Sequence, residues 1–342
     1  MSGVREAADR LLEERGISEN FDAFVVAAAF SRDGKTAAFA LGDGGIVLAD
    51  AAQFRRVPAH DGATLALSAD SDPAGFLSGG DDGRLLAVSA GGEIAEIARF
   101  GRKWVEHVAS IAGGPRAAAV GKTLYLFDAA GREVKRLDHP SAIAGLAFDA
   151  KGKRIAAAHY NGVSLWFIAS KTDNPRRLDW KGSHTALALS PDNDAVVTAM
   201  QENALHGWRL STGEHMRMSG YPAKTQSLSF SRGGKFLATS GAETVVLWPF
   251  TGGGPTGKAP LELAGGDSVL CTRVACHPLH EMVAAGFADG LVILANIESE
   301  RILPIASPGR GAISALTWSP DGAHLAFGTE TGFAARIDLS KR

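Results

Sequence analysis

The chain lacks an excess of charge of either sign. Its 342 residues include 35 Lys and Arg against 37 Asp and Glu, so the formal net charge is −2. A protein that binds nucleic acid through electrostatics needs many cations to displace the counterions of the phosphates. Because this chain has no such surplus, we predict no nucleic-acid partner.

Cysteine is nearly absent, with Cys271 and Cys276 as the only two residues of this type. On one regular strand their Cα atoms would lie about 16 Å apart, whereas a disulfide needs about 7 Å or less. We therefore expect free thiols and a reducing compartment. The N-terminal segment is charged and lacks the apolar core of a signal peptide. These features predict a cytoplasmic protein.

Long apolar runs are also missing. No window approaches the roughly 20 apolar residues that a membrane-spanning helix needs, so we predict no membrane partner. The chain is nevertheless 45% hydrophobic and has 41 glycines. This composition is sufficient for a sizeable core and for many tight turns.

What the chain has instead is an internal repeat. An apolar run, a turn similar to Ser-x-Asp-Gly, a second apolar run, a turn with Gly, Asp or Asn, and a third run recur eight times. The gaps between successive turns range from 37 to 46 residues, a period typical of propellers. The first residues of these turns are Ser31, Ser68, Ser110, Asp149, Ser190, Ser231, His277 and Ser319.

The repeat predicts an all-β fold. The runs are short and bounded by turn formers, which favours strands over helices. A more charged segment in several linkers fits a fourth, solvent-facing strand, and four strands per repeat around an axis form a β-propeller. We expect eight four-stranded antiparallel blades, with seven as the alternative, in one domain over residues 17–342. The predicted repeats lie near residues 24–60, 61–100, 101–140, 141–180, 181–220, 221–265, 266–306 and 307–342.

Several segments resemble the WD-repeat family. The resemblance lies in FSRDGKTAAFA, LSPDNDAVVTA and WSPDGAHLAFG and in the third runs VSLWFI, LHGWRL and VVLWPF. The resemblance covers roughly residues 24–339. Within this range the repeats are similar to the degenerate, bacterial-type repeats of the family. The Trp-Asp pair of the family is intact nowhere, which implies that its hydrogen-bonded tetrad of Asp, His, Ser or Thr, and Trp is incomplete in most repeats. The residues in register are Trp166, Trp208, Trp248, Asp50, Asp128, Asp338 and His139, with His60 nearby.

The resemblance also implies a function. WD-repeat proteins are rigid rings that present loops to other proteins, so we expect a non-enzymatic scaffold for protein–protein interaction. It would be a monomer with one or more protein partners and without cofactors or catalytic residues. The alternative is a propeller hydrolase, or a protein that binds a small ligand or metal in the central channel. The inner runs are mostly small or apolar, with His107 and Arg273 as exceptions, which favours the scaffold.

The N-terminal segment has two predicted roles. The eighth repeat ends at Asp338 and lacks a fourth strand, which in WD-repeat proteins the N-terminal segment usually supplies. Residues 17–21 are the only stretch that fits this position. Residues 1–16 are expected to form an amphipathic helix, docked on the protein's own side or, alternatively, on a partner. Its apolar face would consist of Val4, Ala7, Ala8, Leu11 and Leu12.

Two local motifs are similar to chemical sites. Residues 252–258, GGGPTGK, match a phosphate-binding loop but lack the following Ser or Thr that binds magnesium, so we interpret them as a linker. Cys276, His277 and His280 are weak candidates for a metal site. Cys271 would face the opposite side of a regular strand from Cys276. We therefore expect no metal.

The candidate partner-binding residues lie on loops. Loops that enter each repeat, and those between its second and third strands, are expected on one rim of the ring. Aromatic residues and arginines on loops are the usual anchors of protein interfaces. The candidates are Arg102, Lys103, Trp104, Tyr160, Trp180, Lys181, Tyr221, Lys224, Phe287 and Arg310.

Overall fold

A computed structural model of the chain describes residues 2–265 and 268–340, which form an all-β propeller with one short helix. Helix α1 runs over Ser2–Arg15, and in these ranges no helix is long and apolar enough to cross a membrane. The side chains of Val4, Ala7 and Ala8 lie outside the description. Strands β1 to β13 are Gly16–Asn20, Val25–Phe30, Ala37–Leu41, Gly45–Ala49, Phe54–Pro58, Thr64–Ala69, Gly75–Gly80, Arg84–Ser89, Ile94–Arg99, His107–Ser110, Arg116–Val120, Thr123–Phe127 and Glu133–Asp138.

The second half of the ring continues the same pattern of short antiparallel strands. Strands β14 to β30 are Ile143–Phe148, Arg154–Phe167, Arg176–Leu189, Ala195–Met200, Leu205–Arg209, His215–Met218, Leu228–Phe230, Phe236–Thr239, Thr244–Pro249, Leu261–Gly265, Cys271–Cys276, Met282–Phe287, Val292–Asn296, Ile302–Ala306, Ile313–Trp318, His324–Thr329 and Phe333–Asp338.

The turn after each first strand is specified locally. In the first repeat, Ser31 Oγ donates to Asp33 Oδ1 at 2.6 Å and accepts from the Thr36 amide at 3.1 Å. Gly34 has a φ of 73°, which a residue with a Cβ adopts only with strain. The same pair of bonds recurs at Ser319, which donates to Asp321 and accepts from the His324 amide. The Ser-x-Asp-Gly motif therefore works as a hairpin turn.

The described strands pair into seven sheets, six with four strands and one with six. The six-stranded sheet has the order β14-β15-β16-β17-β18-β19 and holds the fourth and fifth repeats together. The favoured expectation of eight separate blades is wrong as a count of sheets, and seven, the stated alternative, is the number found. The physical reason is that β16 serves both repeats: one half pairs with β15 and the other with β17.

Within this large sheet, β15 also reverses its own direction. The reversal lies at Asn161 and Gly162, whose φ angles are 70° and 142°. Across the reversal, the Ile168 amide donates to the Lys153 carbonyl at 3.0 Å. The two halves of β15 thus form a hairpin, and each of the two repeats still contributes four strand segments.

The ring closes through the N-terminal strand, as the residues predicted. β1 pairs antiparallel with β30, with Ile17 opposite Arg336 and Asn20 opposite Phe333. The last sheet therefore has the order β1-β30-β29-β28. Without β1, the polar backbone groups of β30 would form an unpaired edge.

The core consists of apolar clusters between consecutive repeats, eight of them among the described residues. One of these clusters lies between the two halves of the six-stranded sheet, where Val163 and Leu178 pack with Val196 and Trp208. The two halves therefore pack face to face like neighbouring sheets. Eight repeats remain eight packing units, although their hydrogen bonds join two of them.

Helix α1 docks on the protein's own side. Leu12 is buried against the seventh and eighth repeats, and Leu11 packs beside it. Asp9 Oδ1 accepts a hydrogen bond from Arg310 Nη1 at 2.9 Å and one from the Ser307 amide at 3.2 Å. These contacts favour docking in the same chain over docking on a partner.

Candidate partner-docking cleft on the upper rim

We call one end of the ring the upper rim. It comprises the loops that lead into the first strand of each repeat and the loops between second and third strands. In these loops, one side chain in several repeats turns inward and hydrogen-bonds to the second strand. We call this inward-facing residue the rim anchor. Because it fills the space next to the second strand, other side chains of the same loop remain on the surface.

The anchor of the second repeat is His60. Its Nδ1 lies 3.0 Å from Asp82 Oδ1, and its Nε2 lies 2.9 Å from Ser78 Oγ. Burial lowers the pKa of His60, while the bond to Asp82 acts in the opposite direction. His60, which the sequence placed only near the family's register, therefore completes three members of the tetrad.

The anchor of the sixth repeat is Tyr221. Its hydroxyl donates to Thr239 Oγ1 at 2.6 Å and accepts from Trp248 Nε1 at 2.6 Å. The side chain is buried, and burial raises its pKa to about 12. The expectation that Tyr221 lies exposed on the rim was wrong, because the phenol takes the place that a histidine has in the family tetrad. A tyrosine followed by Thr and Trp at these spacings is the signal that the sequence reading missed.

The anchor of the fifth repeat is His184, and it leaves an aromatic ring at the surface. His184 Nδ1 lies 2.7 Å from Thr198 Oγ1, and its Nε2 donates to the Trp180 carbonyl at 2.9 Å. With this inward place filled, Trp180 lies across His206, with the ring centroids 3.8 Å apart and an angle of 14°. The Trp180 side chain remains 37% exposed.

His206 is the buried support of Trp180. Its Nε2 lies 2.9 Å from His215 Nδ1, and among the described residues its Nδ1 has no hydrogen-bond partner. Burial, followed by the neighbouring His215, lowers the pKa of His206 to about 3. His206 therefore stays neutral and presents a flat apolar face to the indole.

Tyr160 and Trp180 border a common cleft between the fourth and fifth repeats. Its volume is about 430 Å³. Tyr160 is 55% exposed, and its amide donates to Ser141 Oγ at 3.0 Å. The remaining lining residues are Lys181, Gly182, Met200, Glu202, Ala204 and Arg217. We call this space the rim cleft. It brings together three of the predicted candidates, Tyr160, Trp180 and Lys181.

Other predicted candidates lie apart from the rim cleft. Trp104 is 57% exposed next to Arg102 and Lys103, which are also exposed. Lys224 is half-buried and donates to Gln201 Oε1 at 2.8 Å. These residues remain predictions for partner binding.

Two further candidates are engaged within the protein. Phe287 is 2% exposed in the core between the sixth and seventh repeats, so its expected place on the rim was wrong. It ends a second strand whose inward face meets the neighbouring sheet. Arg310 bonds to Asp9 of α1, so its first role is to fasten the helix.

The weak metal candidates do not converge. His277 Nδ1 accepts from the Leu279 and His280 amides, while its Nε2 donates to the Gly322 carbonyl at 3.1 Å. Cys276 Sγ donates to the Ser229 carbonyl. Within residues 2–265 and 268–340, no group of three His, Cys, Asp or Glu residues is placed to hold a metal.

The two cysteines face the same side, which corrects the strand-parity prediction. A register shift between Cys271 and Arg273 inserts an extra residue into β24. Both thiols therefore contribute to the cluster shared with the sixth repeat. Both are free, and burial raises the pKa of each to about 12. Similar shifts occur near the start of β2, β6, β14 and β28, and in β16 near the start of the half that pairs with β17.

The first strands of five repeats line part of the central channel, a space of about 410 Å³. Its polar lining comes from hydroxyls, the Cys276 thiol and backbone. Among the described residues that line it, none carries a carboxylate or an imidazole. Serine and threonine hydroxyls without a neighbouring base are weak nucleophiles.

Comparison with known proteins gives distant relatives along this chain, and no family model matches it. Autophagy-related protein 16 of Arabidopsis thaliana is 26% identical over 187 residues, 52% of this chain and 35% of that protein. WD repeat-containing protein slp1 of Schizosaccharomyces pombe is 24% identical over 52% of this chain and 39% of its own length. The chain thus spans about a third of these relatives.

A longer match is the serine-threonine kinase receptor-associated protein of Dictyostelium discoideum. It is 22% identical over 271 residues, which cover 78% of this chain and 87% of that protein. The crystal structure of the computationally designed Ika8 protein has the same fold, with a TM-score of 0.76, 20% identity and coverage of 94% and 98% of the two chains. The repeats, the rim anchors and these relatives show that the chain is a β-propeller similar to WD-repeat proteins, with degenerate repeats.

Proposed function

We propose that the protein is a non-enzymatic scaffold in the cytoplasm that docks a protein partner in the rim cleft. The observation that carries this proposal is the pair of half-exposed aromatic rings, Tyr160 and Trp180, on an apolar floor. Aromatic residues are enriched among the side chains that contribute most to protein interfaces. We further propose that the propeller is a monomer formed by residues 17–342 after an N-terminal helix over residues 1–16.

The rim cleft is a preorganised surface. Trp180 is held by the stack on His206 and by the bond from His184 to its carbonyl. A side chain that is already fixed in the free protein loses little conformational entropy when a partner binds. Because the aromatic side chains are exposed and already fixed, a role in binding a partner is favoured over a role only in packing between the repeats.

The names of two relatives support a role in association. The Dictyostelium relative is described as receptor-associated, and a distant relative in Caenorhabditis elegans is named actin-interacting protein 1. This chain need not bind the same molecules, because a shared fold does not imply a shared partner. The support is for the class of function, which is protein–protein interaction.

The test is partner capture with matched variants. The tagged protein is used to isolate partners from its native cells, and the recovered proteins are quantified by mass spectrometry. Trp180→Ala and Tyr160→Ala should each lower recovery of the main partner, because truncating a buried interfacial aromatic commonly costs about 2 kcal/mol, roughly 30-fold in affinity.

The control is Phe167→Ala. Phe167 is also aromatic and 62% exposed, but it lies at the C-terminal end of β15, whereas Tyr160 lies in the middle of β15 at its reversal. Full recovery with Trp180→Ala and Tyr160→Ala would refute docking in the rim cleft. If only Trp104→Ala lowered recovery of the main partner, the docking site would instead be the loop before the third repeat.

A further inference from the structure

We propose that the rim cleft recognises an extended acidic peptide segment, with an apolar side chain against the aromatic rings and carboxylates at Lys181 and Arg217. This inference rests on the proposed function and names the chemistry of the partner. It follows from three features of the cleft: its floor, its charges and the position of its one carboxylate.

The floor of the rim cleft accepts an apolar group. Met200 and Ala204 are each 5% exposed, and both line the cleft. Gly182 adds no side chain to the lining, and a Cβ built on it would lie 2.6 Å from Met200 Cε. An apolar partner side chain placed here would cover the floor and the edges of both rings, which is favourable because apolar area leaves water.

The cations of the cleft form no ion pair with any residue that the structure describes. Lys181 and Arg217 are exposed and line the cleft. By contrast, Arg84 pairs with Glu96 at 3.0 Å. Across residues 2–265 and 268–340, no carboxylate lies within ion-pair distance of Lys181 or Arg217. Both cations are therefore free to pair with carboxylates of a partner.

Among the described residues that line the cleft, Glu202 alone carries a carboxylate. Its position distinguishes a basic partner from an acidic one. Its oxygens lie 3.2 and 3.3 Å from the position that a Cβ on Gly182 would take, and they make no ion pair in the described part of the chain. If the aromatic rings and Glu202 bound a basic side chain, Glu202 would be essential. Two cations against one carboxylate favour an acidic segment instead, because complementary charge directs association.

The first arm of the test is peptide selection. A phage library of random dodecapeptides is selected on the full chain, and enriched sequences are compared with those selected on Trp180→Ala. We expect an aromatic or aliphatic residue flanked by Asp or Glu, and we expect the enrichment to disappear with Trp180→Ala. Enrichment of Lys- or Arg-rich sequences, or sequences that do not depend on Trp180, would overturn the inference.

The second arm measures affinity by calorimetry with the most enriched peptide. Combined Lys181→Glu and Arg217→Glu should weaken binding at least tenfold. Glu202→Gln should leave binding unchanged or tighten it, since it removes a like charge. Loss of binding with Glu202→Gln, or full affinity after the double reversal, would contradict the inference.

The matched control is the double reversal of Lys151 and Lys153 to Glu. These two residues are exposed in the turn between β14 and β15, outside the cleft and outside the candidate residues, and the reversal changes the net charge of the protein equally. Binding should change by less than twofold in this variant, and an equal loss would show only a long-range charge effect. Each variant is first checked for a cooperative unfolding transition that lies above the temperature of the binding experiment.

The two proposals fail separately. If partner capture depends on Trp180 while the selected peptides are basic or neutral, the docking cleft stands and the acidic partner is refuted. If partner capture is independent of Trp180, the proposed function of the rim cleft fails first, whatever peptides the library yields.

Discussion

The segment of β16 that leads into the fifth repeat and the loop that leads into the sixth repeat occupy equivalent positions, but the first holds an exposed aromatic residue and the second a buried one. Tyr221 is 8% exposed and bonds to Thr239 and Trp248 inside the ring. Trp180 is 37% exposed and lies flat on His206. One ring is part of the core, and the other borders the rim cleft.

The difference follows from which residue reaches the second strand. Thr198 and Thr239 occupy the same place in their repeats, and the hydroxyl of each forms a hydrogen bond with one inward-facing side chain. In the fifth repeat His184 takes this place, so Trp180 is left outside. In the sixth repeat no histidine is available, and the tyrosine hydroxyl takes it. A buried hydroxyl must be hydrogen-bonded, so the anchor assignment decides which aromatic residue remains exposed for binding.

The largest expected loss of stability comes from changing Tyr221, the buried aromatic residue of the pair. Tyr221→Ala should lower the free energy of unfolding by about 3–5 kcal/mol, because it leaves a large cavity in the core. Urea unfolding monitored by circular dichroism gives this value. A loss below about 1 kcal/mol would mean that the phenol is not an anchor.

The next effect isolates the hydroxyl. Tyr221→Phe keeps the ring but leaves Trp248 Nε1 and Thr239 Oγ1 without their shared partner. We expect a loss of about 1–3 kcal/mol, the usual cost of a buried polar group without a hydrogen bond. Thr239→Val, which removes the other end of the bond, is the companion variant. Combined with Tyr221→Phe, its effect should be less than additive, because both changes remove the same bond.

Acid should separate the histidine anchors from the tyrosine anchor. The pKa of His60 and that of His184 are both lowered in the folded protein, mainly by burial. The unfolded chain therefore binds protons more readily, so the stabilisation is complete above about pH 6.5 and is lost as the pH falls. The loss is at most about 1.4 kcal/mol per pH unit for each histidine. Tyr221, with a pKa raised to about 12, stays neutral throughout.

Hydrogen exchange measures this contrast directly. Amides in residues 59–63 and 180–183 should lose protection between pH 7.5 and 5.5, after correction for intrinsic rates, whereas those in residues 221–225 should not. His60 also faces Asp82 and Arg84, and His184 faces Glu202 and His159. Equal loss in all three loops would show that the anchors do not control the rim.

The smallest expected loss of stability comes from changing Trp180, the exposed aromatic residue of the pair. Trp180→Ala removes the stack on His206 and should lower stability by about 0.5–1.5 kcal/mol, well below the effect of Tyr221→Ala. The same urea experiment measures both variants. A loss of about 3 kcal/mol or more would show that Trp180 is a core residue and that the rim cleft is a packing defect.

Much of the fold follows from local signals. The Ser-x-Asp-Gly turns at Ser31 and Ser319 need only their own side chains and one glycine, so their spacing predicted the repeats. The missing fourth strand after Asp338 predicted the closing role of Ile17. Features that depend on neighbours were predicted less well. The register shift after Cys271 lies within an ordinary strand sequence, and it reversed the expected orientation of that thiol.

The sequence alone is sufficient for the repeat, its strands, the closure of the ring and the similarity to WD-repeat proteins. These features depend on the spacing of the apolar runs and on the residues that form the turns, and both act over a few residues. Packing between repeats was needed to distinguish Phe287 and Tyr221 in the core from Tyr160 and Trp180 at the surface. All four are aromatic residues close to predicted turns, and only the polar and apolar groups across the repeat interface determine which rings are buried. The continuity of β16, which joins two repeats in one sheet, likewise depends on contacts on both of its edges.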